Sequence, residues 1–446
     1  MKSEKFKRLV LISLLYAIVC LLSVNALALE TTRTITPNGL TVLHSENHNL
    51  PIVMVTLLVK AGQRHEAKEK AGLANLSAKL LGEGTKNRSS REISEEIDFI
   101  GASLDASAGN DFTTITLSVL KKDLDKGFEL FSDILLNTTF PQAEIDRKRE
   151  EIKGSLRQQE EDPSFLAGRA FKKEVFGKHP YGRLIQGSTD TLDTITQDDL
   201  VTFYSDFFLP NNAILSVAGD LTSDELNAVM KKYLGVWKKA DLPLIPYGDI
   251  AGEKAKKIIK IDKELTQANI ILGNLGISRD NPDYYAVSVM NYLLGGGGFS
   301  SRLMQSVRDK MGLAYDVHSF FSAYKERGSF QIGVQTKNES ANVALDEILR
   351  QIERMRSEMV SDEELSDAKA YLTGSFSRRL DTSRKIADFF ASVEFYGLGA
   401  DYISKYPSFI NSVTKEDVLR VAKKYLDTEH YVLVVVANQE KAMLKY

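Results

Sequence analysis

A chain of 446 residues, 43% hydrophobic and 26% charged, with 29 Gly and 10 Pro, has the balance of an ordinary globular protein. That balance excludes wholesale disorder and collagen-like repeats, and the length allows roughly two to four domains. The formal net charge of −3 supplies no bulk basic field, so nucleic acid is not an expected partner.

The first 28 residues read as an export signal. Lys2, Lys5, Lys7 and Arg8 form a basic region, an apolar run from Leu9 to Leu22 follows, and Ala26-Leu27-Ala28 is a small-x-small cleavage site. The run is short for a spanning helix, which disfavours the alternative of an uncleaved anchor. Cleavage takes four Lys/Arg from 57 and one Glu from 60, leaving a net charge of −6. The single cysteine, Cys20, lies in this segment, and Ala17-Ile18-Val19 before it lacks the small residue of a lipoprotein site. The mature chain therefore has no disulfide, thiolate nucleophile or thiolate metal site. A cysteine-free exported protein suits an oxidising compartment, and the expected location is a bacterial periplasm. No later stretch is long and apolar enough to span a membrane.

Leu40–Leu43 and Val53–Val59 predict two strands joined as a hairpin. Gly72–Leu81 predicts a helix, Phe112–Leu120 an alternating strand, and Leu124–Asn137 and Gln142–Gln159 two helices, the second heavily charged. Thr196-Gln197-Asp198-Asp199-Leu200 opens a capped helix that leads through Asn211-Asn212 into a strand, Ala213–Ala218. Lys238–Lys257, with Pro243 and Pro246, reads as a linker.

From Gln267 the order repeats. Thr414-Lys415-Glu416-Asp417-Val418 leads into Tyr431–Ala437 at an offset of 218. Asp133-Ile134-Leu135 matches Glu347-Ile348-Leu349 at 214, and Lys79-Leu80-Leu81-Gly82 matches Tyr292-Leu293-Leu294-Gly295 at 213. Drifting offsets of half the mature length indicate a duplicated domain rather than a solenoid. The expected fold is α+β, with two duplicated lobes, 29–237 and 258–446, joined by the linker 238–257. Each lobe is an antiparallel sheet with helices packed on it, and the pair encloses a cleft.

The six histidines are scattered. His44 and His48 flank Glu46 at a spacing that would bind zinc on a helix, but they fall in a hairpin turn and are expected to be solvated. There is no C-x-x-C, H-E-x-x-H or G-x-S-x-G, and no Walker lysine. Gly295-Gly296-Gly297-Gly298, before Phe299-Ser300-Ser301-Arg302, frees the backbone for positive φ and close approach to a ligand; the alternative is a flexible helix stop.

Several segments in order resemble the pitrilysin/insulinase metallopeptidases. They are Ala71-Gly72-Leu73-Ala74 leading into Leu80-Leu81-Gly82-Glu83-Gly84-Thr85, then Lys178-His179-Pro180-Tyr181-Gly182-Arg183, Leu294–Leu303, and Arg308-Asp309-Lys310-Met311-Gly312-Leu313-Ala314-Tyr315. The resemblance covers essentially the whole mature chain. It implies a clamshell of paired lobes around a peptide-binding chamber, with His179 structural. Active members carry H-x-x-E-H on the first helix and a distal glutamate as third zinc ligand. Here Asn75 and Lys79 stand at the ligand positions, Ala78 at the base position and Ser155 at the third-ligand position. An amide is a poor zinc ligand, an ammonium repels a dication and a methyl takes no proton. Nearby Glu83, Glu150 and Glu151 read as solvated charges. No zinc and no autonomous hydrolysis are expected.

In the family an Arg and a Tyr lie across the chamber from the zinc. The matching residues are Arg308 and Tyr315, seven apart. The resemblance implies that Arg308 holds a substrate carbonyl or carboxylate and that Tyr315 donates to the oxyanion. Loss of one half with retention of the other resembles the two-subunit mitochondrial processing peptidase. The expected role is the non-catalytic subunit of a periplasmic heterodimeric zinc endopeptidase. A homologous partner would supply zinc and H-x-x-E-H, while this chain supplies Arg308, Tyr315 and the Gly295–Gly298 loop for a peptide or unfolded-protein substrate. The alternative is a non-enzymatic scaffold derived from the same family. An autonomous metallopeptidase using another site is the third reading, which the histidine census disfavours.

Overall fold

A computed structural model describes residues 31–245, 250, 252 and 255–446. The expected signal segment with Cys20, and Pro246 of the expected linker, lie outside these residues. The N-terminal sheet is built from β1 (Thr32–Ile35), β2 (Thr41–Glu46), β3 (Ile52–Val59), β4 (Ser103–Ala108), β5 (Thr113–Leu120) and β6 (Ala213–Gly219), in the order β1-β2-β6-β3-β5-β4. The C-terminal sheet is built from β7 (Lys257–Asp262), β8 (Gln267–Leu275), β9 (Ala314–Phe321), β10 (Ser329–Lys337) and β11 (Val432–Ala437), in the order β7-β11-β8-β10-β9. Both sheets are antiparallel except for one pair each, β2 with β6 and β7 with β11.

That parallel pair corrects the expected hairpin. β2 and β3 are adjacent in sequence but not in the sheet, because β6 inserts between them, pairing His44 with Val217 on one side and Val55 with Val217 on the other. Every residue of β6 is buried. A strand with no polar face must have neighbours at both edges and cover on both faces, so it takes the centre of the sheet. β11, likewise buried throughout, sits between β7 and β8 in the second lobe. The helices that precede these strands, Gln197–Phe207 and Lys415–Tyr425, start with equivalent capping boxes, Thr196 with Asp199 and Thr414 with Asp417.

One face of each sheet packs on its own lobe's helices. The other face of each is covered by the opposite lobe. The helix Pro163–Phe176, from the first half, sets Leu166, Phe171 and Val175 against Val432, Val434 and Val436 of β11. The helix Ser383–Tyr396, from the second half, sets Ile386 and Phe390 against Met54, Leu58, Ile214 and Ala218. Fully burying side chains of this size is worth about 1.5–3 kcal/mol each.

The β9–β10 loop also reaches the first lobe. Glu326 lies 3.1 Å from Arg64 and 3.1 Å from His179. Lys325 N–H donates to Asp111 at 2.9 Å, and the Tyr181 hydroxyl donates to the other oxygen of the same carboxylate.

Candidate functional site

The helix Leu73–Leu80 carries Asn75, Ala78 and Lys79, which the resemblance sets against the family's zinc motif, and an anchor that the sequence reading missed fixes its start. The buried Glu66 carboxylate accepts from Gly72 N–H at 3.0 Å and Ala74 N–H at 2.7 Å. Gly72 adopts φ 101°, and a Cβ there would lie 2.8 Å from the Gln186 carbonyl oxygen. Only glycine fits both demands. Burial pushes the Glu66 carboxyl up to about 8. Short-range sequence patterns do not reveal such a cap, because its acceptor, Glu66, lies six residues before Gly72, outside the usual capping frame.

Leu73, Leu76, Ser77 and Leu80 turn into the core, while Asn75 is half-buried and Lys79 exposed. Ala78 is buried at 2% exposure, and the Asn75 Oδ1 is buried without a hydrogen-bond partner. Ser155 is exposed on the helix Gln142–Gln159, which packs against Leu73–Leu80, and accepts from Gln159 Nε2 at 3.3 Å. This donor set does not fit zinc: it offers one neutral amide, one hydroxyl, no base and an ammonium. Among the described residues, no group of three or more His, Cys, Asp or Glu converges as a metal site.

One expectation about nearby charges is corrected. Glu83 is not a solvated charge, since it pairs with Arg147 at 2.6 Å and Lys148 at 2.9 Å and accepts from Ser90 at 2.7 Å. Glu150 and Glu151 are exposed, and each reaches a lysine, Lys153 at 3.2 Å and Lys148 at 3.3 Å. His44 is not solvated either. It is buried in β2 with Nε2 2.8 Å from the Leu221 carbonyl, while His48 is 54% exposed and pairs with Asp220 at 2.6 Å. The reason is that β2 runs on to Glu46, so His44 lies within the strand, paired with Thr32 on one side and Val217 on the other, rather than in a turn. His179 is buried and accepts from Tyr181 N–H at 3.2 Å. Burial, followed by the Arg64 and Arg183 cations, holds its imidazole down at about 4, so it is neutral near pH 7.

In the second lobe the helix Tyr284–Asn291 widens into a π-helical turn, Tyr292–Gly296, and a 3-10 turn, Gly298–Ser300. Packing accounts for the first three glycines. An added Cβ would meet Ser319 N at 2.6 Å from Gly295, Asn291 Nδ2 at 2.5 Å from Gly296 and the Tyr292 carbonyl at 2.7 Å from Gly297. Gly298 alone has positive φ, +57°, and open space around it.

Arg308 lies in a second π-helical turn, Met304–Lys310, and Tyr315 near the start of β9. The fold brings them together. The Arg308 guanidinium carbon is 5.5 Å from the centre of the Tyr315 ring and 4.8 Å from that of Phe299. Tyr315 is 88% exposed. Phe299 was not anticipated; its position directly after the glycine run was the available signal.

Paired sheets that exchange covering helices, with a helix and an Arg/Tyr pair at these positions, define a two-lobed α+β fold of peptidase type. Residues 41–189 match the family model described as insulinase (peptidase family M16), and residues 194–372 match the peptidase M16 inactive domain. The chain belongs to the M16 insulinase family. It is 29% identical over 396 residues to an uncharacterized zinc protease of Rickettsia felis, covering 87% of this chain and 93% of that one. It is 26% identical over 434 residues to the non-peptidase homolog YmxG of Helicobacter pylori, covering 97% and 99%. A crystal structure of a peptidase M16 inactive domain from Pseudomonas fluorescens superposes with a TM-score of 0.86 at 28% identity, covering 92% of this chain and 98% of that one. A protease structure from Helicobacter pylori shares the fold at 23% identity, with a TM-score of 0.84 and coverage of 91% and 99%. The chain is an M16 homologue of the inactive kind.

Proposed function

We propose that this chain is the non-catalytic subunit of a periplasmic heterodimeric zinc endopeptidase, whose homologous partner carries H-x-x-E-H and the metal. One contrast carries the reading. Asn75, Ala78 and Lys79 replace the groups that grip zinc and activate water, while Arg308 and the exposed Tyr315 stand side by side in the other lobe. Arg308 would hold a substrate carbonyl or carboxylate, and the Tyr315 hydroxyl would donate to the oxyanion formed on the partner's side of the chamber. The free edge of the first sheet, β4, offers backbone groups to an extended peptide, and Gly298 leaves room for one beside the Arg/Tyr pair.

Co-expression with a zinc-bearing homologue from the same cell tests this. The expected result is co-purification, one zinc per pair held by the partner, and peptidase activity well above that of either chain. Arg308→Ala or Tyr315→Phe should lower that activity about a hundredfold, as loss of an oxyanion donor does. Unchanged activity in both variants removes their assigned role. The name of the Helicobacter pylori relative, a non-peptidase homolog, favours a second reading, a scaffold subunit. It predicts a stable complex without stimulation.

A further inference from the structure

A cleft of about 540 Å³ opens in the first lobe between the end of Gln142–Gln159, the helix Pro163–Phe176 and the segment 177–191. Neither Asn75, Lys79, Ser155, Arg308 nor Tyr315 lines it. Six cationic side chains do: Lys68, Arg157, Arg169, Lys173, Lys178 and Arg183. Glu160 is the single acid in the lining, and it is consumed by a two-pronged pair with Arg169. Among the described residues, no carboxylate lies within 4.0 Å of the Lys68, Lys173 or Lys178 ammonium. Arg157 reaches Glu150 only at 3.7 Å with both side chains mostly exposed, a geometry worth little. Arg183 donates to the Ala67 and Glu66 carbonyls, and its buried Nε has no acceptor. A chain with a negative net charge thus concentrates uncompensated positive charge around one cavity, which raises the local concentration of anions.

The layout separates two kinds of anion. A phosphoryl site gathers free backbone N–H groups onto one point. Here the nearby amides of Ser188 and Thr191 are taken by each other's hydroxyls at 2.9 and 3.2 Å. The lysines instead come from three separate segments around an apolar strip of Ala71, Leu156 and Leu184. That suits negative charges spread along a chain, with methylene groups lying on the strip. The volume also exceeds the need of an inorganic ion and falls in the range of organic ligand sites.

We propose that this cleft binds the acidic side chains of a peptide, so that the chain selects segments rich in Asp and Glu. The inference deepens the proposed subunit role and rests on it for the biological meaning, but its test needs only the isolated full chain. Fluorescence anisotropy with a labelled dodecapeptide of alternating Glu and Ala should show binding that weakens as salt rises. The Gln-for-Glu and Lys-for-Glu versions should bind at least about tenfold more weakly. Lys173→Glu combined with Lys178→Glu reverses two exposed, unpaired charges and should weaken the Glu peptide by a similar factor. The variant's far-UV circular dichroism and melting temperature should match those of the parent. Undiminished binding by the folded variant overturns the proposal, as does equal binding of the Gln peptide. Binding of inorganic pyrophosphate without the Glu peptide also overturns it, in favour of a phosphate site. Peptide selection without stimulation of a partner would leave this inference standing and remove the subunit role alone.

Discussion

If Lys79 stands where the resemblance sets a zinc-ligating imidazole, its ammonium reverses what the site can attract: a neutral ligand for a dication becomes a competing cation. Glu66 shows how the surrounding residues nevertheless keep the helix in place. Its carboxyl, pushed by burial from an ordinary 4.5 to about 8, is more readily protonated folded than unfolded. Its contribution to stability is full below 4.5 and is lost as pH rises through 8, by on the order of a few kcal/mol. The melting temperature should therefore fall between those limits, and Glu66→Gln should flatten the fall. An unaltered slope in the variant would show that Glu66 is ionised throughout. Asp283 has the opposite sign. Burial raises it, but hydrogen bonds from Tyr425, Lys424 and Arg420 win and hold it at about 2. Its contribution is present above 3.8 and is lost as pH falls through 2.

Among the elements, the glycine run divides by what surrounds it. Gly295→Ala forces a Cβ to 2.6 Å from the Ser319 backbone nitrogen, an overpacking that should cost about 1–3 kcal/mol. Gly298→Ala meets nothing and should cost only the αL penalty, about 1–2 kcal/mol. Urea midpoints of the two variants check this, and the larger loss belongs to Gly295. A cost at Gly295 no greater than at Gly298 would show that the turn relaxes around the added carbon. Helices were legible in the sequence because their signals are local. Gln142–Gln159 appears with its expected ends, and Thr196 and Thr414 cap as their Asp partners require. The hairpin expectation failed because β2 and β3 do not record in their own residues that a strand from position 213 onward will separate them.

At the scale of the whole molecule, the exchange of covering helices makes each lobe's sheet depend on the other half of the chain. Unfolding one lobe would strip the cover from β6 or β11 and expose a strand that is apolar on both faces. The two lobes should therefore unfold together. The single tryptophan, Trp237, lies in the first core, whereas Leu345 lies in the second. Leu345→Ala should cost about 2–5 kcal/mol and should shift the Trp237 fluorescence transition in step with far-UV circular dichroism. A tryptophan transition that stays in place while the circular dichroism moves would show independent lobes.

From the sequence alone came the capped helices, the duplication and, through the resemblance to the family, the expectation that Asn75, Ala78, Lys79 and Ser155 stand where zinc-gripping groups would be. The caps rest on spacings of a few positions that a helix turns into one face, and the duplication on segments that recur in order half a chain apart. Tertiary structure decided the insertion of β6 and β11, the exchange of covering helices, the grouping of Arg308 with Phe299 and Tyr315, and the gathering of cations into one cleft. These depend on which distant segments share a buried face. Long-range burial, rather than local periodicity, selects among the many pairings that one pattern of apolar residues permits.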